Sequence, residues 1–279
     1  MSLDSALELI ESVKDYNVLF VGDDIVDEYE FVTTMGKSPK ENLIPTRFQS
    51  REVFEGGVVA AAKHLRSFCK TVDVFKSHHA IRKVRMVETP SLRKLFEVQY
   101  GTTVESRENG YLDKTYDAVV VTDFGHGFVT REMIRQLGRM PFLAVNAQTN
   151  SSNIGYNLIT KYPKADYIVI DEPEARLAAS DRERSIFEVM GYLSSGRCKK
   201  MIVTHGRYGA YGFNGKASHC PAFEDHSLDT MGAGDAFFSI TAPMAKTGSL
   251  EDLLLIGNAA GALKTRIIGH REPVTKEHL

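Results

Sequence analysis

The sequence predicts an α/β fold, a doubly wound sandwich with a mostly parallel central sheet. Three observations predict it. Short, continuous, β-branched apolar runs stand at residues 18–21, 118–121, 142–145, 167–170 and 201–203, as in strands buried on both faces. Helix-like stretches lie between or after them, at 58–68, 130–139, 172–179, 182–195, 234–247 and 250–267. Such alternation gives a parallel sheet with ligands at the C-terminal strand ends. Third, only 29–55 and 84–100 break the pattern, being polar, partly alternating and extended in character. In chain order, the first strand ends at Gly22, just before Asp23, Asp24 and Asp27, where substrates bind in such sheets. Gly56 and Gly57 precede the first of these helices and let the backbone approach a ligand closely. A strand at 72–75 is separated from Lys83 by only seven residues. Asp123 follows the strong run at 118–121, and the amide-rich loop 146–153 follows the next strand. That loop either hydrogen-bonds a ligand or is simply solvated.

The whole chain sets bounds. Its 279 residues allow one large domain, 43% hydrophobic and 25% charged, as in ordinary globular proteins. A formal charge of −2 recruits neither nucleic acid nor an anionic membrane. No apolar stretch nears the ~20 residues that span a bilayer, and no signal peptide is evident. Cys69, Cys198 and Cys220 show no metal spacing and read as reduced thiols, which points to a cytoplasmic protein.

The chemistry concentrates in Asp229-Thr230-Met231-Gly232-Ala233-Gly234-Asp235, followed by an apolar helix. Gly232, Ala233 and Gly234 put almost no side chain at a helix start, so free amides and the helix dipole can receive an anion. Asp235 beside those amides suits removal of a hydroxyl proton while the amides stabilise charge on a transferring phosphoryl group. The competing reading is a glycine-rich turn with a first-turn acid. Asp229 and Thr230 either cap the helix or contact substrate.

This run resembles the signature of the ribokinase/PfkB family of ATP-dependent sugar kinases. Four further segments resemble family motifs in family order: Val18 to Asp27, Glu55-Gly56-Gly57, Asp171-Glu172-Pro173-Glu174, and Thr204-His205-Gly206-Arg207-Tyr208-Gly209. Gly22-Asp23 with Asp27-Glu28-Tyr29, and the loop Thr122-Asp123-Phe124-Gly125-His126-Gly127, look most like heptose-phosphate kinases. The resemblance implies a ribokinase-like sandwich in which 29–55 and 84–100 form a small β lid over the sugar and, as a further possibility, a homodimer interface. The alternative is a pair of ordinary surface hairpins. It implies ATP and Mg²⁺ as cofactors, with Asp235 as base and the amides of Gly232, Ala233, Gly234 and Asp235 holding the γ-phosphoryl charge. Asp27, Asp23, Gly56, Gly57 and Asp123 are expected at the sugar. Thr204, Gly206, Gly209, Asp229, Thr230 and Asn258 are expected at ATP, and Glu174 and Asp171 at Mg²⁺, unless those two acids only stabilise a helix start.

The chain departs from the family pattern in four places. Ala60 stands where an asparagine is frequent, Asp171 replaces an asparagine, and His126 stands where heptose kinases tend to carry lysine. The short 76–82 connection leaves out a helix and strand. Lys83, Arg85, Arg93 and Lys94 either give the lid a basic face for a sugar phosphate or are merely solvated. Gly36-Lys37-Ser38 is no P-loop, since Phe31 stands at its first glycine position and Pro39 follows. There is no Gly-x-Gly-x-x-Gly after the first strand, and His78-His79 lacks ligand companions. The leading expectation is an ATP-dependent kinase of a small-molecule sugar or sugar phosphate, such as a heptose 7-phosphate. The alternatives are a hexose, ribose or nucleoside acceptor, or a kinase-fold binding or regulatory domain.

Overall fold

A computed structural model describes residues 3–101, 114–223 and 227–279. The apolar runs form strands of one eight-stranded sheet: β1 (Asn17–Gly22), β4 (Thr71–Lys76), β7 (Ala118–Asp123), β8 (Leu143–Ala147), β9 (Tyr167–Asp171), β10 (Lys200–Thr204), β11 (Ala210–Phe213) and β12 (Ala217–Cys220). Their order is β12-β11-β10-β9-β8-β7-β1-β4, parallel from β10 to β4 and antiparallel at β11 and β12. The two antiparallel strands, β11 and the edge strand β12, are absent from the sequence expectation. They are four residues each and Gly-, Ala- and Ser-containing, without a continuous apolar run.

Helices cover both faces. α1 (Leu3–Ser12), α2 (Gly57–Lys63), α6 (Ala233–Met244) and α7 (Leu250–Lys264) supply one apolar layer, packed with Val18, Phe20, Val120 and Val169. α3 (Arg131–Leu137), α4 (Glu172–Ala179) and α5 (Ile186–Ser194) supply the other, packed with Leu19, Val121, Ile168 and Val203. Alternate residues of each strand thus enter opposite cores, which is why these strands read as unbroken apolar runs. Several helices are shorter than expected. α2 stops at Lys63 because His64 and Leu65 donate to carbonyls three residues back, tightening the next turn. α5 starts at Ile186 because Ser185 and Glu188 form a capping box.

Residues 29–55 and 84–100 fall in a second, four-stranded sheet of β2 (Asp24–Thr34), β3 (Thr46–Gly56), β5 (Ile81–Glu88) and β6 (Arg93–Tyr100), ordered β3-β2-β5-β6. Register places Asp27, Tyr29, Phe31, Phe54, Lys83, Arg85 and Glu97 on one face. That face meets Met231 and Ile268 of the main body. The connection from β4 to β5 carries no helix, as its brevity predicts. The main sheet reverses direction of growth at β1: the chain runs out to β4, then returns to β7 on the other side. Open α/β sheets bind ligands at such a point, beyond the C-terminal strand ends. The second sheet and the start of α6 both stand there.

Candidate active site

Gly232 is the N-cap of α6 with φ +74°, a left-handed conformation that favours glycine, and no side chain among the described residues caps this helix. The amides of Gly232, Gly234 and Asp235 have no acceptor among the described residues, whereas Ala233 donates to the Thr230 carbonyl at 3.3 Å. A side chain at Gly234 would meet nothing within 4 Å, so the turn faces open space. Three free amides at a dipole-positive helix end make an anion site. Asp235 sits in the first turn, and its Oδ1 accepts a 2.6 Å hydrogen bond from Gln148 Nε2. Burial raises the Asp235 carboxyl above the usual range. His270, Gln148 and Lys264 partly oppose this, and the Asp27 carboxylate adds to it. A carboxylate held more basic than usual is suited to accept a proton.

Against this turn opens a cavity of about 600 Å³, lined by Asp171, Thr204, Gly206, Gly209, Thr230, Ala233, Gly234 and Asn258, among others. Most of the residues expected at ATP are therefore brought together. Phe223, Phe237 and Tyr208 add apolar surface, as an adenine site requires. Asn258 lies in its wall and donates to the Cys220 carbonyl at 3.1 Å. Asp229 is a correction. Its carboxylate accepts from Lys94 Nζ (3.0 Å), the Met231 amide (3.1 Å) and the Gly269 amide (2.9 Å). It thus neither lines the cavity nor caps α6, and instead ties β6 and the 269 loop to the turn.

Asp27 lies on the inner face of β2, buried, with Arg85 on one oxygen and His270 Nε2 at 3.3 Å from the other. Burial pushes its carboxyl up, but His270 and Arg85 outweigh this and hold it below the usual range. An ionised carboxylate has lone pairs beyond these two contacts, so it can still accept sugar hydroxyls. Gly56 and Gly57 are required here. A Cβ on Gly56 would stand 2.2 Å from Asp27 Oδ2, and one on Gly57 2.4 Å from the Asp23 carbonyl.

Asp23 and Asp123, expected at the sugar, are spent inside the protein. Asp23 accepts the amides of Phe124 (2.9 Å), Phe128 (3.3 Å) and, at 3.5 Å, His126, anchoring that loop. Burial and the nearby Asp123 raise its carboxyl to about 6. Asp123 takes Tyr162 Oη, Lys161 Nζ, Asn157 Nδ2 and the Gly125 amide. Asp24 turns outward to Lys76 at 2.7 Å. The amide-rich loop is neither solvated nor ligand-facing throughout: Asn150 and Asn153 both donate to the Phe124 carbonyl.

Asp171 and Glu174 form a reciprocal capping box at the start of α4, and Glu174 also accepts the Thr149 amide at 2.6 Å. Burial raises Glu174 to about 8, with Asp171 and Asp235 adding repulsion. No cluster of three or more His, Cys, Asp or Glu suited to a metal occurs among the described residues. The oxygens present still suit Mg²⁺, which takes one or two carboxylates and keeps its waters and substrate phosphates. Asp171 opens on the cavity, Glu174 is near Asp235, and the buried Thr149 Oγ1 and Asn146 Oδ1 have no partner among the described residues.

Sequence reasoning missed His270 and Lys264, and held Gln148 only as a member of the amide-rich loop, not as the partner of Asp235. Gln148 stood within reach, directly after β8, while the other two had no local signal.

Residues 145–277 match the model of the pfkB family carbohydrate kinases. A 73-residue stretch is 38% identical to the protein named Uncharacterized sugar kinase YegV of Escherichia coli (strain K12), covering 25% of this chain and 22% of that protein. The match thus spans about a fifth of that relative's length. The fold is ribokinase-like. It is similar to ribokinase from Thermotoga maritima, with TM-score 0.69, 16% identity, and 94% and 97% of the two chains covered. It is also similar to phosphofructokinase-2 from Escherichia coli in complex with substrates and products, with TM-score 0.73, 13% identity, and 94% and 96% covered. A third is Arabidopsis thaliana ribokinase complexed with ribose and ATP, with TM-score 0.66, 14% identity, and 92% and 94% covered.

Proposed function

We propose that the chain is an ATP- and Mg²⁺-dependent carbohydrate kinase of the pfkB type, transferring the γ-phosphoryl group of ATP to a hydroxyl of a sugar or sugar phosphate. The observation that carries this is the meeting of the free amides of the 232–235 turn, the Asp235 carboxylate and the nucleotide-sized cavity at one helix end. The family match over the C-terminal half and the ribokinase-like fold of the whole support it.

In the reaction, ATP lies in the cavity with its phosphates toward Gly234. The acceptor hydroxyl is held near Asp27 and attacks phosphorus in line. Its oxygen–phosphorus bond forms as the bond to the ADP oxygen breaks. Asp235 accepts the hydroxyl proton, with Gln148 fixing the carboxylate's orientation, and the free amides take the charge that develops on the equatorial oxygens. Asp171 and Glu174, through water, would hold Mg²⁺, which when bound neutralises charge on the phosphates.

The finer reading is a phosphorylated acceptor such as a heptose 7-phosphate. Two observations favour it over a neutral sugar. Lys83, beside Asp27 on the same face, is only 7% exposed and has no hydrogen-bond or ion-pair partner among the described residues. Nearby, His126 Nε2 is buried and without a hydrogen-bond partner among the described residues. An anion brought by the substrate would satisfy both. Three free cysteines fit a reducing compartment such as the cytoplasm. A second copy of the chain is the partner proposed for the outer face of the lid.

The test is a panel of neutral sugars and their terminal phosphates, heptose 7-phosphate included, assayed for ATP-dependent phosphorylation. Turnover of a phosphorylated acceptor well above its neutral parent is expected. Equal or better use of neutral sugars removes the finer reading. No ATP-dependent turnover of any acceptor removes the kinase.

A further inference from the structure

Lys264 is the last residue of α7, a position from which a lysine side chain ordinarily reaches water. Here it is 0% exposed. Its ammonium donates to the carbonyls of Gly269, at 2.5 Å, and Ile267, at 3.3 Å. Among the described residues no carboxylate lies within ion-pair distance of it. Burying a charge without a counter-ion is costly, and two carbonyl dipoles offset that only in part.

The place of the charge suggests its use. Gly232 packs against the lysine stem, and a Cβ there would stand 3.3 Å from Lys264 Cε. The ammonium therefore lies behind the turn whose free amides face the cavity. Burial lowers its ammonium from the ordinary lysine value; Asp229 and Asp235 oppose this and favour the charge, and Lys94 adds to the lowering. Asp229 is already committed to Lys94 and two amides. Gly269 holds both partners, its carbonyl on Lys264 and its amide on Asp229. An anion within ion-pair distance of Lys264 is thus not supplied by the described residues. The balancing charge arrives with substrate, on the far side of Gly232.

We propose that Lys264 is a fixed internal counter-charge for the phosphoryl group handled at Gly232–Asp235, a positioning residue that acts through the amides of that turn and never touches substrate. The inference rests on the kinase reading above. A cation in a dry, preorganised site strengthens what the amides do as negative charge develops. It also favours the ionised form of Asp235, the form that accepts a proton.

A purely structural role, stapling the 267–269 turn to the end of α7, predicts different results. Lys264→Gln separates the two, since its amide can still donate to the same carbonyls but carries no charge. We expect kcat to fall roughly 10- to 100-fold, in the range of one oxyanion donor or less, with the acceptor KM within about twofold. The acid limb of the pH–rate profile should move to higher pH, because Asp235 loses a nearby positive charge. The other groups facing Asp235, namely His270, Asp27, Glu174 and Gln148, are unaltered. Lys264→Arg keeps the charge and should recover most of kcat. Should the glutamine variant fail to fold, Lys264→Met, which keeps the stem, is read in the same way. Wild-type kcat and pH profile in a folded neutral variant would overturn the assignment while leaving the kinase reading intact. Failure of the wild type to bind MgATP by calorimetry would overturn both.

Discussion

As the proposed base, Asp235 meets two opposing demands. Its carboxylate must ionise to accept a proton, yet it is placed where burial resists ionisation and only His270, Gln148 and Lys264 ease the charge. A carboxyl whose folded pKa is raised weakens the fold at neutral pH, so catalysis and stability pull apart here. Asp235→Asn should therefore lower kcat by about 10²–10⁴, the usual worth of a positioned general base. ATP affinity should change little, since the amides remain, and resistance to urea at pH 7 should be equal or higher. Steady-state kinetics, calorimetry and chemical denaturation on one preparation check the three together. A variant with near-wild-type kcat would show that another group takes the proton. Asp27 is the reverse case, a carboxylate held ionised by Arg85 and His270. Its removal would leave Arg85 to Glu97 alone and take the carboxylate from His270 Nε2, which makes it a poor probe of sugar binding alone.

At the level of elements, α4 shows how a structural cap and an acid proposed to hold Mg²⁺ coincide. The Asp-Glu-Pro-Glu run predicts the helix start residue for residue, and Asp171 and Glu174 close the capping box. The same burial that completes the cap raises both carboxyls as a coupled pair, Glu174 to about 8. A raised folded pKa gives stability that is full below the unfolded value near 4.5 and lost as pH rises through about 8. The ligand-free protein should thus lose melting temperature from pH 6 to pH 8. MgATP, whose cation favours the ionised pair, should stabilise more at pH 8 than at pH 6. Scanning fluorimetry across that range, with Glu174→Gln as the control, decides it. A wild-type curve that rises with pH, or matches the control, would separate the cap from any metal role. Elements like α4 and the parallel strands were legible because their signals are local: caps three residues apart, or continuous apolar runs buried on both faces. The short antiparallel strands β11 and β12 carry no such run. Nor do Gln148 and His270 announce themselves, because each acts on an aspartate far away in sequence, at 87 residues for Gln148 and Asp235. Asp23 and Asp123 misled for the same reason. Their position at strand ends was readable, but the partners that occupy them, Phe124, Phe128 and Tyr162, follow only from the fold.

In the molecule as a whole, the two sheets have unequal surroundings. Both faces of the main sheet are covered, by the two apolar cores. The lid has one face on the site and one in solvent. Register places Phe48, Arg51, Val53, Glu28, Arg82, Phe96 and Tyr100 on that outer face. Phe48, Val53, Phe96 and Tyr100 are 58%, 54%, 55% and 48% exposed, too much apolar surface on one sheet face to be incidental. Among them Glu28 is buried between Arg51, at 2.6 Å, and Arg82, at 3.7 Å. A face carrying both signs of charge around an apolar field can meet a copy of itself about a two-fold axis without net repulsion. A second chain is therefore the expected occupant. Light scattering on the wild type should report a dimer, and the double variant Phe48→Asp with Phe96→Asp a monomer, with the main body's melting behaviour retained. Because Asp27, Lys83 and Arg85 project from the opposite face of the same strands, the monomeric variant should also bind acceptor more weakly, with MgATP affinity unchanged. A wild type that stays monomeric at the highest concentration the cell accepts would leave the outer face without this partner. A variant that remains dimeric would move the interface elsewhere on the molecule.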